Sequence, residues 1–163
     1  NKDLINAGKF QKFVNSLVEE AVQISKNKKI SLKEEKKWLE GMLVKIKSRK
    51  TVFLAVENND IVVGDTSIDL GHGRQGHIGT LGIMISKGYR GVGLGAYLMK
   101  EIIKLAKKDL KPKPKIIRLG VFPTNKPAIS LYKKFGFRKV ARIPKQFQYK
   151  GKLVDEIIML LSL

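Results

Sequence analysis

Three glycines at alternate positions mark the stretch of this chain best suited to hold a ligand: Arg90-Gly91-Val92-Gly93-Leu94-Gly95-Ala96. An apolar run, Leu81 to Ile85, precedes it. After it Leu94, Leu98, Ile102 and Leu105 recur at helical spacing, with Lys100, Glu101, Lys104 and Lys107 on the other side. This predicts a strand, a glycine-rich turn and a helix. Glycine lets a backbone approach closely, and the first turn of a helix presents unpaired N–H groups and a positive dipole end. Such a structure suits an anion, above all a phosphate or diphosphate.

The surrounding elements must hold that turn in place. Phe10, Phe13, Val14, Leu17, Val18, Ala21 and Val22 predict an amphipathic helix over roughly residues 5–25. Ser31-Leu-Lys-Glu34 reads as a capping box opening a second helix, with Trp38, Leu39, Met42, Leu43 and Ile46 as its buried stripe. Thr51–Glu57 and Ile61–Leu70 are β-rich and joined by Asn58-Asn59-Asp60, a hairpin. The Gly71–Gly76 loop leads into a central strand near 77–85, and the helix that follows should reach about Leu110. Lys111-Pro112-Lys113-Pro114 stops it. Ile116–Phe122 is then a buried strand, parallel to the central one because a helix crosses between them. Pro127 begins a further helix that Gly136 closes, and Arg138–Tyr149 with Leu153–Leu163 form a last hairpin.

The totals fit one α/β domain over residues 1–163. A chain of 163 residues with 43% hydrophobic content can bury a single good core. No apolar run approaches the ~20 residues of a membrane span and no leader pattern opens the chain, so a cytoplasmic protein without membrane contact is expected. No cysteine and only two histidines leave no case for a metal site. The 33 Lys+Arg against 14 Asp+Glu, net +19, favour anionic partners. The basic residues are spread rather than clustered with stacking aromatics, so a solvated surface ranks ahead of nucleic-acid binding.

Three families use a glycine turn of this kind. A P-loop needs Lys and Ser/Thr after the last glycine, where this chain has Leu94-Gly95-Ala96. Gly91, Gly93 and Ala96 satisfy the dinucleotide pattern, but the next strand ends Val121-Phe-Pro-Thr-Asn125 without the acidic residue that fold wants. The third pattern, Q/R-x-x-G-x-G/A, is met by Arg90, Gly93 and Gly95, and it resembles motif A of the GNAT superfamily of acetyl-CoA-dependent N-acetyltransferases. Asn125, Ala128, Leu131, Tyr132, Gly136 and Phe137 match the second signature of that superfamily. The order of elements from residue 5 onward is similar too, apart from a first strand that would precede Asn1.

The resemblance implies a GNAT fold: an α/β mixed central sheet, bulged and splayed at the central strand, with flanking helices. It implies acetyl-CoA as co-substrate and no metal. The pantetheine arm would pair with the main chain of Ile83, Met84 and Ile85, and the diphosphate would sit on the amides of Arg90, Gly91, Val92, Gly93, Leu94, Gly95 and Ala96. Asn125 would bond near the pantetheine or stabilise its own turn. Tyr132, which spacing alone makes a core aromatic, would be the general acid for the leaving thiolate. The carboxylate base of many members would fall at Gly79 or Gly120, where none exists. His77, on the side of Gly79, is therefore a candidate relay, with Asp155 and Glu156 as further candidates.

The acceptor would be the amine of a small molecule or amino-acid derivative, or of a protein, bound between the N-terminal helices, the Gly71–Gly76 loop and the closing hairpin. Asp65, Asp69, Asp155 and Glu156 are the acids that could attract a cationic acceptor. A homodimer is left open. The rival from another class is a GNAT-like module that binds coenzyme A or nucleic acid without turnover; an oxidoreductase ranks third.

Overall fold

A computed structural model describes residues 6–24 and 26–163. Its elements run α1 (Ala7–Glu19), α2 (Leu32–Lys47), β1 (Thr51–Asn58), β2 (Ile61–Leu70), β3 (Ile78–Ile85), α3 (Leu94–Asp109), β4 (Ile116–Val121), α4 (Lys126–Lys134), β5 (Arg138–Tyr149) and β6 (Lys152–Ser162). The strands form one mixed sheet in the order β1-β2-β3-β4-β6-β5. Neighbours pair antiparallel except β3 and β4, which the α3 crossover forces to run parallel.

Two apolar layers cover the sheet. On one face Met99, Ile102 and Ala106 of α3, with Tyr132 of α4, pack on Ile68, Leu81, Ile117, Leu119 and Met159. On the other, Phe10, Phe13, Val14 and Leu17 of α1 meet Leu39 of α2 over Val62, with Phe53 and Met84 at the edge. The parallel pairing of β3 with β4 stops at Thr80 and Arg118, after three residue pairs. Beyond it β3 stays bonded to β2 and β4 to β6, so a gap opens between the two central strands. The β2–β3 register runs unbroken to Ile85. The splay comes from lost pairing with β4, and the bulge expected in the central strand is not part of that register.

Several local expectations need correction. The first helix ends at Glu19 instead of near residue 25, and residues 5 and 25 lie outside the described residues. Ala21 takes a left-handed φ of 53°, while its N–H bonds Val18 O and that of Val22 bonds Leu17 O. Those two bonds make a Schellman cap with alanine where glycine is usual. Ala21→Gly removes the Cβ strain but frees the unfolded chain, so a gain of only about 0.5 kcal/mol is expected. A Tm rise of ~1–2 °C in a thermal melt checks it.

The second helix opens on the predicted capping box, Ser31 with Glu34. Trp38, placed in its buried stripe, is instead 38% exposed, edge-on to Phe53 and with the Lys26 ammonium over its ring. The fully buried positions of that helix are Glu35, Leu39 and Met42, a stripe rotated away from the tryptophan.

Candidate active site

The glycine turn is an open cradle. Gly88, Gly91 and Gly93 have φ of 87°, 78° and 89°, a region closed to most side chains, and a Cβ on any of them would meet nothing within 4 Å. Gly93 caps α3 without a side-chain bond, and the first bond closing the helix runs from Tyr97 N to Gly93 O. The amides of Leu94, Gly95 and Ala96 thus have no helical partner. They point out with the dipole behind them, as an anion requires. Val92 is 71% exposed. Gly95 is small for another reason: its Cβ would press on Leu131 Cδ2 at 3.1 Å and Ile85 Cδ1 at 3.3 Å.

Arg90 ties this turn to its surroundings. Its Nε donates to Ile85 O at 2.8 Å, and its two terminal nitrogens donate to the carboxylate of Glu20 at 2.5 and 2.9 Å. The guanidinium holds the Glu20 carboxyl below the usual carboxylate range. The Arg90 side chain is thereby committed to the fold, leaving its amide for a ligand. The Ile85 carbonyl, expected to pair with a ligand, already has a partner; Ile83 and Met84 lie on the stretch of β3 that borders the gap.

Tyr132, on α4, belongs to the core that α3 and α4 share with the sheet. It is 7% exposed, with its ring 6.0 Å from that of Phe137. Burial pushes its phenol up to about 12, so the group stays protonated at any physiological pH. Its hydroxyl makes no hydrogen bond among the described residues, yet it is absent from the fully enclosed polar atoms that lack partners, which are both oxygens of Glu35. Asn125 caps α4 by accepting from Ala128 N at 3.3 Å, the turn-stabilising one of its two anticipated roles.

His77 is not brought to this region. It sits in the turn before β3, exposed, with its carbonyl accepting from Lys115 N where β3 and β4 are still joined. At about 3.3 Å per residue, Ile83 is ~20 Å further along the strand. The Gly71–Gly76 loop lies at that same far end, where a Cβ on Gly76 would face Pro112. It contributes no residue to the pocket that the N-terminal segment and the closing hairpin enclose.

That pocket, about 290 Å³, lies between the end of α1, the segment leading to α2, the residue after β4 and the β5–β6 hairpin. Phe122, Phe147 and Tyr149 form one wall, with the first two rings stacked at 4.2 Å, and Val22 and Ile24 the other. Lys26 and Lys150 are the charged residues among its lining. One bond joins its two sides, Tyr149 Oη donating to Ala21 O at 2.8 Å. The N-terminal segment and the closing hairpin line it as expected; the part of Phe122 could not be read from spacing, since facing walls such as Ala21 and Tyr149 are 128 residues apart.

Known proteins are similar to this chain in sequence and in fold. The profile of the Acetyltransferase (GNAT) family matches residues 14–137. An L-amino acid N-acetyltransferase of Escherichia coli is 33% identical over 99 residues, 60% of each chain. An N-alpha-acetyltransferase of Sulfolobus acidocaldarius is 37% identical over 79 residues, 48% of this chain and 44% of its own. The matches thus span only about half the length of these relatives. Among solved structures, an acetyltransferase of the GNAT family from Streptococcus pneumoniae superposes with TM-score 0.84 at 25% identity, covering 97% of this chain and 94% of that one. An acetyltransferase of Salmonella typhimurium, solved with its cofactor acetyl-CoA, gives 0.82 at 20% identity over 98% and 90%. With both signatures in place, a sheet that opens between its parallel strands, and a family profile over three quarters of its length, the chain belongs to the GNAT acetyltransferase family.

Proposed function

We propose that the protein is an acetyl-CoA-dependent N-acetyltransferase that moves an acetyl group to a primary amine by direct attack. The observation that carries this reading is the gap between β3 and β4 together with the open cradle at the start of α3; Tyr132 would act from the α4 side of the sheet and the acceptor would enter by the aromatic cleft. Amides from Arg90 to Ala96 would hold the diphosphate, and the unpaired edge of β3 at Ile83 and Met84 would pair with the pantetheine as an added strand does. Acetyl-CoA supplies the activated acyl group. The chain aligns it and, through Tyr132, supplies the proton that the departing sulfur needs.

The lining of the cleft bears on the acceptor. Apolar and aromatic walls with two lysines and no carboxylate favour a molecule that is apolar or anionic away from its amine. That fits an amino-acid derivative or the α-amine of a peptide and disfavours a polyamine. The matching N-acetyltransferases of amino acids and of α-amines support the same reading.

Release of free thiol from acetyl-CoA, measured with a panel of L-amino acids, N-terminal peptides and polyamines, tests it. Turnover with the first two classes supports the reading. Calorimetric binding of coenzyme A with no turnover on any amine supports the non-catalytic module instead, which the missing side chains at Gly79 and Gly120 would favour. In the same assay Gly93→Val forces a β-branched residue to φ 89° and fills the cradle. The Kd for coenzyme A should rise by at least about tenfold, the loss of one or two charge-assisted bonds. An unchanged Kd would place the diphosphate elsewhere.

A further inference from the structure

The geometry points to Glu156, on β6, as the group that takes the proton of the attacking amine, using space that Gly120 leaves empty on β4; this rests on the acetyl-transfer reading above. Gly120 lies past the last parallel pair, Thr80 with Arg118, so it borders the gap. A Cβ at this glycine would overlap Glu156 Oε1 and come within 2.8 Å of its carboxyl carbon. The carboxylate therefore rests on the backbone of β4, where a side chain of residue 120 would otherwise stand. Gly120 pairs with Ile158, and Ile143 and Phe147 of β5 pair with Glu156 and Val154. Alternation then puts Gly120, Phe122, Phe147 and Glu156 on one face of the sheet, the face of the aromatic cleft.

The other acids considered are engaged or enclosed. Asp155 accepts from Arg142 Nε at 2.7 Å and Lys145 N at 3.1 Å. Asp69 accepts from Thr51 and Lys45. Asp65 is 5% exposed beneath the N-terminal helices. Glu156 is half-buried and makes no hydrogen bond or ion pair among the described residues. The charged residues sharing its face are Arg118 on β4, Lys152 on β6 and, opposite Leu160, Arg138 on β5. The β5 positions nearer to it, Ala141, Ile143 and Phe147, are uncharged, Tyr149 stands opposite Lys152, and Lys26 approaches from the segment before α2.

The proton account closes. Glu156, directly or through one water, removes a proton from the ammonium form of the acceptor and passes it to solvent. The freed lone pair forms the C–N bond at the thioester carbonyl, and the C–S bond breaks. Tyr132 protonates the sulfur, and the second proton lost by the nitrogen restores Tyr132. Base and acid thus work from opposite sides of the gap. One proton leaves per acetyl transferred.

The test uses the full chain and the fastest acceptor of the amine panel. Glu156→Gln should lower kcat/KM for the amine by about a hundredfold near pH 7, as loss of a general base does, with the Kd for coenzyme A and the Tm unchanged. The deficit should shrink as pH rises toward the acceptor's own pKa, because free amine then needs no base. Glu156→Ala should behave alike, and adding Gly120→Glu should recover at least about tenfold by returning a carboxylate to the same volume from β4. Activity of Glu156→Gln within about threefold of the parent with the same pH profile overturns the proposal while leaving acetyl transfer intact; a general base contributes far more than that. A deficit equal at every pH marks a structural role and overturns it as well. No turnover by the unaltered chain overturns both readings.

Discussion

Replacing Tyr132 by phenylalanine should lower kcat by about a hundredfold or more while the Kd for coenzyme A moves less than about twofold. The two side chains have the same shape, and the ring is already packed against Phe137 in the core shared by α3, α4 and the sheet. Losing one oxygen that makes no hydrogen bond among the described residues removes no structural contact, so Tm should hold. On the proposed reading, what disappears is the proton donor. A phenol pushed up to about 12 is a weak acid, and giving its proton to sulfur would be uphill in water. In the gap the leaving thiolate is desolvated too, which raises its own proton affinity and narrows the difference. Steady-state kinetics with separate kcat and KM, alongside calorimetry, checks this. An intact kcat would return Tyr132 to the core-aromatic role that spacing alone assigns.

The second large effect is on stability and has the opposite sign to most carboxylates. Asp65 and Glu35 are buried near one another, and neither oxygen of Glu35 has a partner among the described residues. Burial, and then the charge of Glu35, raises Asp65 to about 7, against a partial opposing pull from Lys26. Glu35 is raised by the same loss of water. A raised carboxyl binds its proton more tightly folded than unfolded. Stability is therefore fully present below about pH 4 and is lost as pH rises to about 7, the span between the unfolded and folded values. The loss is on the order of 4 kcal/mol for Asp65. Asp65→Asn should melt close to the parent at pH 5 and roughly 5–10 °C above it at pH 8. Equal melting curves at both values would mean that water or a cation reaches the pair.

Why a protein keeps such a pair is not explained by packing. Asp65 stands opposite Met84 in the β2–β3 ladder, so the cost falls on β2, the neighbour of the strand that borders the gap.

What could be read before any coordinates was local in the chain. The glycines of the turn, Ser31 with Glu34, Asn125 above its helix and Gly136 below it act over four to six residues, and spacing reports them directly. The hairpin turn at Asn59 and Asp60, both at positive φ, belongs to the same class. What could not be read was made by sheet order. β6 lies between β4 and β5, so Glu156 reaches Gly120 from 36 positions away, and no periodicity records it. Glu35 and Asp65 meet in the same way across the α2–β2 contact. Trp38 failed for a different reason: adjacent residues flank one helical stripe, and only the packing of α1 decided that Leu39 turns inward. At Ala21 the left-handed turn carries no glycine, and a cap without its usual residue leaves no mark.

The clasp between Arg90 and Glu20 joins the two mouths of the molecule. Glu20 caps the helix whose next residues, Ala21 and Val22, form the rim of the aromatic cleft, and Arg90 opens the glycine turn proposed to hold the diphosphate. On that proposal, any shift of the turn on binding its anion would be passed through one guanidinium to the rim of the cleft. Both partners of the clasp are partly solvated, at 40% and 30% exposure, so raised ionic strength loosens this linkage before it disturbs either core.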